Sequence, residues 1–342
     1  MVSALEMSSN LHLIELSKYM KDVEWLGIYE FENQRGSYTP KDFSVMGFGD
    51  VLKKIFFFKR VFKEMLQLAK EADQILLIDS SSFHIPLAKA IKKTYPSKKI
   101  SYYILPQVWA WKSWRVGAIK EYFDELYGIL PFEIELYGGR ANYIGHPLLD
   151  EIPKYKEGLS TKGSLVFMPG SRRGEIQRVF PIFCDLAQRF EGEKCVLVVP
   201  EFFKSLDLEE LYGKQIGSFE LCFDANQALY EAKFAFICSG TATLQATLIG
   251  TPFVLCYKAR ALDVWIARRF VKLSHIGLAN LLSIKSGGGE IHQELIQEKC
   301  TTDNLLRAYE MMDRELFFEE ARRIKGYLGF GSSQRLAKAL IE

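Results

Sequence analysis

Two short loops in the second half of this 342-residue chain have the composition of anion sites. In the first, the apolar run Ser164–Met168 leads into Pro169-Gly170-Ser171-Arg172-Arg173-Gly174-Glu175, and an amphipathic segment follows. Glycine lets the backbone approach a ligand closely, Ser171 brings a hydroxyl, and the opening turn of a helix leaves amide N–H groups unpaired. Arg172 adds a cation for a phosphate or a departing diphosphate. In the second loop, Phe234–Cys238 leads into Ser239-Gly240-Thr241-Ala242-Thr243-Leu244-Gln245. Small hydroxyl residues again open a helix, and Gln245, one turn inside, can hydrogen-bond a ribose or sugar hydroxyl. Either loop alone is also what an ordinary capped helix looks like. Two of them at strand ends in one half of the chain point to a nucleotide diphosphate. Neither has the P-loop spacing, which disfavours ATP hydrolysis.

The first half offers a proton acceptor. The run Gln74–Ile78 delivers Asp79, followed by Ser80-Ser81-Ser82-Phe83-His84. A carboxylate at a strand end can take the proton of an attacking hydroxyl, the general-base task in displacement at an anomeric carbon. An aspartate there also suits helix capping, and His84 is an alternative acceptor. Near the N-terminus Glu6, Ser8, Ser9 and Asn10 open a helix after a stub strand and are candidates for holding an acceptor. Pro106-Gln107-Val108-Trp109-Ala110-Trp111, with Arg115 just beyond, puts two indoles in one strand-end loop. Such rings pack on a sugar, on an acyl chain, or on the core beneath the loop. No Asp-x-Asp pair closes a strand and the five histidines are scattered. The expectation is therefore no metal and no cofactor, with leaving-group charge met by helix N-termini and Arg172.

These residues need strand ends to sit on, and the sequence supplies them. Short apolar runs alternate with amphipathic segments of helical length, the rhythm of parallel sheets covered by helices. Strands are expected at Met1–Ala4, Val23–Ile28, Gln74–Asp79, Lys99–Ile104, Glu125–Leu130 and Asn142–Ile144. In the second half they are expected at Ser164–Met168, Cys195–Val199, Phe219–Phe223, Phe234–Cys238 and Phe253–Tyr257. The polar stretch Pro147–Gly163, bearing Pro153, Gly158 and Gly163, reads as a linker. The predicted architecture is α/β, with two Rossmann-like domains facing a central cleft. Residues 1–150 form the acceptor and membrane-facing domain, and residues 160–328 the sugar-nucleotide domain. The terminal helix, residues 331–342, is expected to pack back on the first domain or on a partner subunit. In such sheets ligands lie beyond the carboxyl ends of the strands, where the candidate residues fall.

Bulk properties narrow the partners. A net charge of +2 gives no general reason to bind nucleic acid. Six cysteines, all from Cys184 onward and without CxxC spacing, suit a reducing compartment. The N-terminus has neither a basic leader nor a long apolar segment, and no apolar run approaches bilayer length, so a cytoplasmic location is expected. Val51–Leu68 has the character of a surface-binding helix. Phe56, Phe57 and Val61 widen its apolar arc, while Lys53, Lys54, Lys59, Arg60 and Lys63 border it, against the single acid Glu64. That pattern fits shallow insertion into an anionic membrane surface. Trp265–Lys272 is a weaker segment of the same kind.

Taken in order, these strings resemble the lipid-A-disaccharide synthase family, glycosyltransferases of the GT-B architecture. The resemblance rests on Pro106–Trp111, Leu130-Pro131-Phe132-Glu133, Ile144-Gly145-His146-Pro147, Met168–Arg172, Cys238–Thr243 and Asn280-Leu281-Leu282, and spans nearly the whole chain. It implies transfer from UDP-2,3-diacylglucosamine to 2,3-diacylglucosamine 1-phosphate, with inversion, giving a β-1,6-linked disaccharide phosphate and UDP. It also implies Asp79 as general base, Arg172 at the diphosphate, and Asn280 and Glu290 around the nucleotide. The membrane contact falls on Val51–Leu68, at the cytoplasmic face of the inner membrane of a Gram-negative bacterium; a homodimer stays open. The family's N-terminal Gly-Glu-x-Ser-Gly-Asp reads Leu5-Glu6-Met7-Ser8-Ser9-Asn10 here, keeping Glu6 and Ser8 but neither glycine nor the aspartate. Gln245 stands where a glutamate is common. Alternative readings are another enzyme of this fold, such as a UDP-GlcNAc epimerase or a peptidoglycan glycosyltransferase, and a non-catalytic sugar-nucleotide or lipid-binding protein.

Overall fold

The computed structural model describes residues 1–44, 51–110, 112–238, 240–259 and 275–341, with the side chains of Ser44 and Val51–Lys54 outside the description. The chain divides into two compact units, Met1–Glu151 together with Leu328–Glu342, and Ile152–Tyr327.

The first unit is built on β1 (Val2–Ala4), β2 (Gly27–Ile28), β3 (Ile75–Ile78), β4 (Ile100–Tyr103), β5 (Glu125–Gly128) and β6 (Ala141–Tyr143). They form one parallel sheet in the order β2-β1-β3-β4-β5-β6. A parallel strand is covered on both faces and reads as unbroken apolar sequence, which is why Ile75-Leu76-Leu77-Ile78 has no polar position. Side chains alternate across the sheet. Ile75 and Leu77 join Val61, Met65, Leu87 and Ile91 from helices Val51–Glu71 and Ser81–Thr94. Leu76 and Ile78 join Leu13 and Leu16 of helix Met7–Ser17, and Leu336 and Leu340 of helix Ser332–Ile341. The C-terminal helix thus belongs to the first unit. Asp150 fixes its start by accepting from the amides of Gly331 (2.7 Å) and Ser333 (2.9 Å).

Helix Val51–Glu71 corrects one expectation. Its buried stripe is Val61, Met65 and Ala69, each four residues from the next. Val61 lies wholly in the core and cannot touch a membrane. Phe57 is half-buried against Tyr38, Phe43 and Phe58, whereas Phe56 is 68 % exposed and Ile55 46 %. Lys59 and Arg60 are exposed beside them. Lys53 falls among the undescribed side chains, and Trp265–Lys272 lies outside the described residues.

The second unit carries β7 (Ser164–Met168), β8 (Cys195–Val198), β9 (Glu220–Cys222), β10 (Ala232–Cys238), β11 (Phe253–Tyr257) and β12 (Glu294–Ile296), ordered β12-β11-β10-β7-β8-β9 and parallel throughout. The phenylalanines concentrate in its interior: Phe167 stacks on Phe236 with ring centres 5.1 Å apart, and Phe183 and Phe219 meet Phe167 edge-on.

Each sheet has one place where successive strands depart in opposite directions. In the first it lies between β1 and β3, in the second between β7 and β10. The carboxyl ends of strands flanking such a point leave a crevice in which ligands of doubly wound sheets bind.

Candidate active site

Asp79 stands at the carboxyl end of β3, beside the switch point of the first sheet. It adopts a left-handed backbone (φ +53°), as do Ser80 (+40°) and, after the neighbouring strand, Ile104 (+61°). Each such non-glycine residue costs on the order of 1–3 kcal/mol and persists only where its surroundings hold it. Here the Asp79 amide donates to the Tyr103 carbonyl (2.9 Å). The Asp79 carbonyl accepts from the Tyr102 hydroxyl (3.0 Å) and from His84 Nδ1 (2.7 Å).

That bond settles the role of His84. A carbonyl only accepts, so Nδ1 carries the proton and Nε2 accepts from the Ser3 hydroxyl at 2.9 Å. The ring is fully buried, and burial pushes its pKa down to about 4. His84 is a neutral brace for the strained turn and not an alternative base.

The Asp79 carboxyl is different. Burial, then the negative charge of Glu6, raise its pKa to about 6, against opposing pulls from the Ser80 amide and His12. Glu6 follows β1 on the other side of the switch point, and Ser80 Oγ donates to its carboxylate at 3.3 Å. A carboxylate held near neutrality by desolvation and a like-charged neighbour is suited to accept a proton. Both acids line a cavity of about 530 Å³. Ser80, Ser81 and Ser82 continue its polar side, Phe43, Phe58 and Phe83 make an aromatic wall, and Leu105–Val108 and Arg115 close it.

The other acceptor candidates divide. Ser8 is half-buried and Glu6 exposed, but Ser9 and Asn10 are buried. The Asn10 amide clasps the Glu30 backbone in both directions (2.7 and 2.8 Å), so it secures a loop and does not present itself to a ligand. Trp109 is not among the cavity-lining residues. Its ring packs edge-on against Phe132 (5.3 Å), and its buried indole N–H faces Glu133 without reaching hydrogen-bond geometry. Trp109 is half-buried and packs on its own unit; Trp111 lies outside the described residues.

In the second unit the two glycine loops leave adjacent strands at the switch point, since Met168 of β7 pairs with Ile237 of β10. Gly170 (φ +105°) has no room for a side chain, because a Cβ would stand 2.7 Å from Glu175 Oε2 and 3.0 Å from Glu175 Cβ. Gly240 (φ +141°) is the opposite case. Among the described residues nothing lies within 4 Å of its Cβ position, leaving open backbone at the start of helix Thr241–Ile249. Ser171 and Thr241 are exposed, and Ala242 is half-buried. Arg172 precedes helix Arg173–Ala187; its guanidinium is tethered to the buried Glu175 carboxylate at 3.0 Å, yet its side chain is 82 % exposed. The site thus offers two helix starts and an exposed cation to an anion.

The profile of the lipid-A-disaccharide synthetase family matches residues 1–320. The lipid-A-disaccharide synthase of Helicobacter pylori (strain Shi470) is 52% identical over 352 residues, covering 99% of this chain and 97% of that protein. The chain belongs to the lipid-A-disaccharide synthase family. The corresponding protein of Campylobacter jejuni (strain RM1221) is 47% identical over 364 residues, covering 100% of this chain and 99% of its own length. The fold likeness reaches further. A UDP-GlcNAc 2-epimerase from Neisseria meningitidis, solved with UDP-GlcNAc bound, superposes with a TM-score of 0.55 over 99% of this chain and 98% of its own, at 10% identity. The architecture is GT-B, two parallel α/β sheets with helices.

Against the lipid-A-disaccharide synthase pattern, the remaining nucleotide candidates fall into two groups. Gln245 is half-buried with its amide donated to Asn226 Oδ1 (2.7 Å), and Glu290 is exposed, 3.6 Å from His275. Ser239 lies outside the described residues. Thr243 and Asn280 are fully buried and need correction as direct contacts. The Thr243 hydroxyl donates back to the Gly240 carbonyl (2.8 Å) and holds the helix start. Asn280 Oδ1 accepts from the amides of Ile291 (2.9 Å) and His292 (3.3 Å), while Nδ2 donates to the His292 carbonyl and to Glu294 (both 3.0 Å). It shapes the 290–294 segment from within. Glu294, not singled out by its sequence, completes this staple by accepting from the amides of Ile276 (2.8 Å) and Gly277 (3.1 Å). Arg115, noted only for its place after the indoles, turns out to line the cavity of Asp79. The signal for it was its position at the head of helix Arg115–Tyr122, directly after a strand-end loop.

Proposed function

We propose that this chain joins UDP-2,3-diacylglucosamine to 2,3-diacylglucosamine 1-phosphate, forming the β-1,6-linked disaccharide 1-phosphate and UDP. The observation that carries this reading is Asp79, a carboxylate whose pKa is raised to about 6 beside Glu6 in a polar-and-aromatic cavity. Asp79 takes the proton of the acceptor hydroxyl as its oxygen forms the new bond to the anomeric carbon. The bond from that carbon to the diphosphate oxygen breaks with inversion, and its electron pair leaves with UDP. Growing charge on the diphosphate is met by Arg172 and by the helix starts after Gly170 and Gly240. The test incubates purified protein with both substrates and follows disaccharide and UDP together. UDP without disaccharide, or neither product, refutes the assignment.

We also propose that the protein works at an anionic membrane surface, on the cytoplasmic side, through the outer arc of helix Val51–Glu71. Exposed Phe56 and Ile55 beside exposed Lys59 and Arg60 support this, since apolar side chains with a cationic border favour a lipid interface. Phe57 contributes only its outer edge.

A further inference from the structure

Arg115 differs from Arg140 and Arg335, the arginines that close loops of the first unit. Arg140 donates to the carbonyls of Lys120 and Phe123, and Arg335 to those of Ile144 and Phe330. Both serve the backbone. Arg115 turns instead to two hydroxyls, donating to Ser81 Oγ from Nη1 and to Ser82 Oγ (3.3 Å) from Nη2. Among the described residues no carboxylate pairs with it, although Asp79 and Glu6 line the same cavity. Its charge is half-buried and answered only by neutral oxygens. A guanidinium so placed gains most from an anion arriving from the cavity, because hydroxyls can stay bound to one edge while another meets the ligand.

The diphosphate of the donor has its own loops in the second unit, so an anion in this cavity belongs to the acceptor. Resting on the acceptor assignment above, we propose that Arg115, with Ser81 and Ser82, binds the phosphate monoester of the acceptor sugar. It thereby orients that sugar with a hydroxyl toward Asp79. The charges order the acceptor: its phosphate meets the Arg115 guanidinium, and a hydroxyl meets the acids. Arg115 is then a determinant of acceptor specificity as well as of affinity. A free uncharged diacylated sugar would leave the guanidinium unanswered.

The experiment compares two acceptors, the monosaccharide 1-phosphate and the same diacylated sugar lacking its phosphate, each with UDP-diacylglucosamine. The wild-type protein is expected to favour the phosphorylated acceptor in kcat/KM by about a hundredfold, the range of a lost charge-assisted contact. In Arg115→Met that preference is expected to fall about ten- to hundredfold, with KM for the donor unmoved, and Arg115→Lys is expected to restore part of it. The proposal is overturned if wild type does not discriminate, or if Arg115→Met slows both acceptors equally with the preference intact. Should Arg115→Met not fold, the wild-type preference and the Arg115→Lys value decide by the same criteria. Formation of no disaccharide from either acceptor by wild type instead refutes the reaction itself, and this inference with it.

Discussion

Asparagine at position 79 separates the charge of the residue from its conformation. Asparagine tolerates the left-handed region nearly as well as aspartate, so Asp79→Asn keeps the turn at φ +53°, where alanine would add strain of its own. The amide cannot take a proton, and loss of a general base lowers turnover by about 10²–10⁴. The same change should stabilise the first unit. Unfolded, Asp79 titrates near 3.8; folded, near 6. Well below pH 3.8 both forms are protonated and the residue adds nothing against folding. As pH rises from about 4 to about 6 the unfolded chain releases the proton while the folded one keeps it, so stability falls. Above pH 6 the deficit is constant, about 3 kcal/mol at most at about 1.4 kcal/mol per pH unit. Asparagine escapes this loss. The assay is urea unfolding at pH 4 to 8 followed by tryptophan fluorescence. Among the described residues the tryptophans are Trp25, Trp109 and Trp114, all in the first unit, so the signal reports on the relevant unit. Asp79→Asn should hold only a small lead at pH 4, widen it increasingly through pH 6, and hold it constant well above. A variant equally stable at every pH, or less stable at pH 8, would refute the account of a desolvated, charge-crowded carboxylate.

Glu6→Gln should move the acidic limb of the kcat/KM profile to lower pH, because the Glu6 charge is the second cause of the raised Asp79 pKa; an unmoved limb contradicts that coupling. Gly170→Ala forces a methyl to within 2.7 Å of Glu175 Oε2 at φ +105°. UDP should then bind about tenfold more weakly or worse, from strain of about 1–3 kcal/mol, and calorimetric titration giving an unchanged Kd would count against the loop. Phe56→Ser should reduce sedimentation with phosphatidylglycerol vesicles at unaltered stability, whereas Val61→Ser, in the core, should lower stability by about 2–4 kcal/mol. Vesicle binding insensitive to Phe56 would rule out the outer arc.

What sequence pattern could reveal was set by how local the cause was. β7 and β11 were readable to the residue because strands covered on both faces are apolar throughout. The place of Asp79 beside the cavity was readable because it directly follows such a strand. β12 escaped notice: it is three residues long, Glu294-Leu295-Ile296, and pairs only with β11. Val61 was assigned to the outer arc of helix Val51–Glu71 because Ile55-Phe56-Phe57-Phe58 makes the apolar arc too broad for its centre to be found from pattern alone. Asn280, Asn10 and His84 are a third kind. Each is a polar side chain whose partner is a backbone group 5 to 20 residues away in sequence. Only the fold reveals that the partner waits there, and such residues look like ligands until it does.

The return of helix Ser332–Ile341 to the first unit bears on how the protein is born. Leu336, Ala337 and Leu340 complete the layer that covers Val2, Ala4, Leu76, Ile78 and Tyr103. On the ribosome this cover emerges only after all of Ile152–Tyr327, a continuous stretch free to collapse on its own as it is made. Throughout that interval one face of the earlier sheet stays partly bare, a sticky surface on the very part of the chain synthesised first. Truncation just before Leu328 should therefore yield nascent chains that depend on chaperones, with the later-made portion already folded.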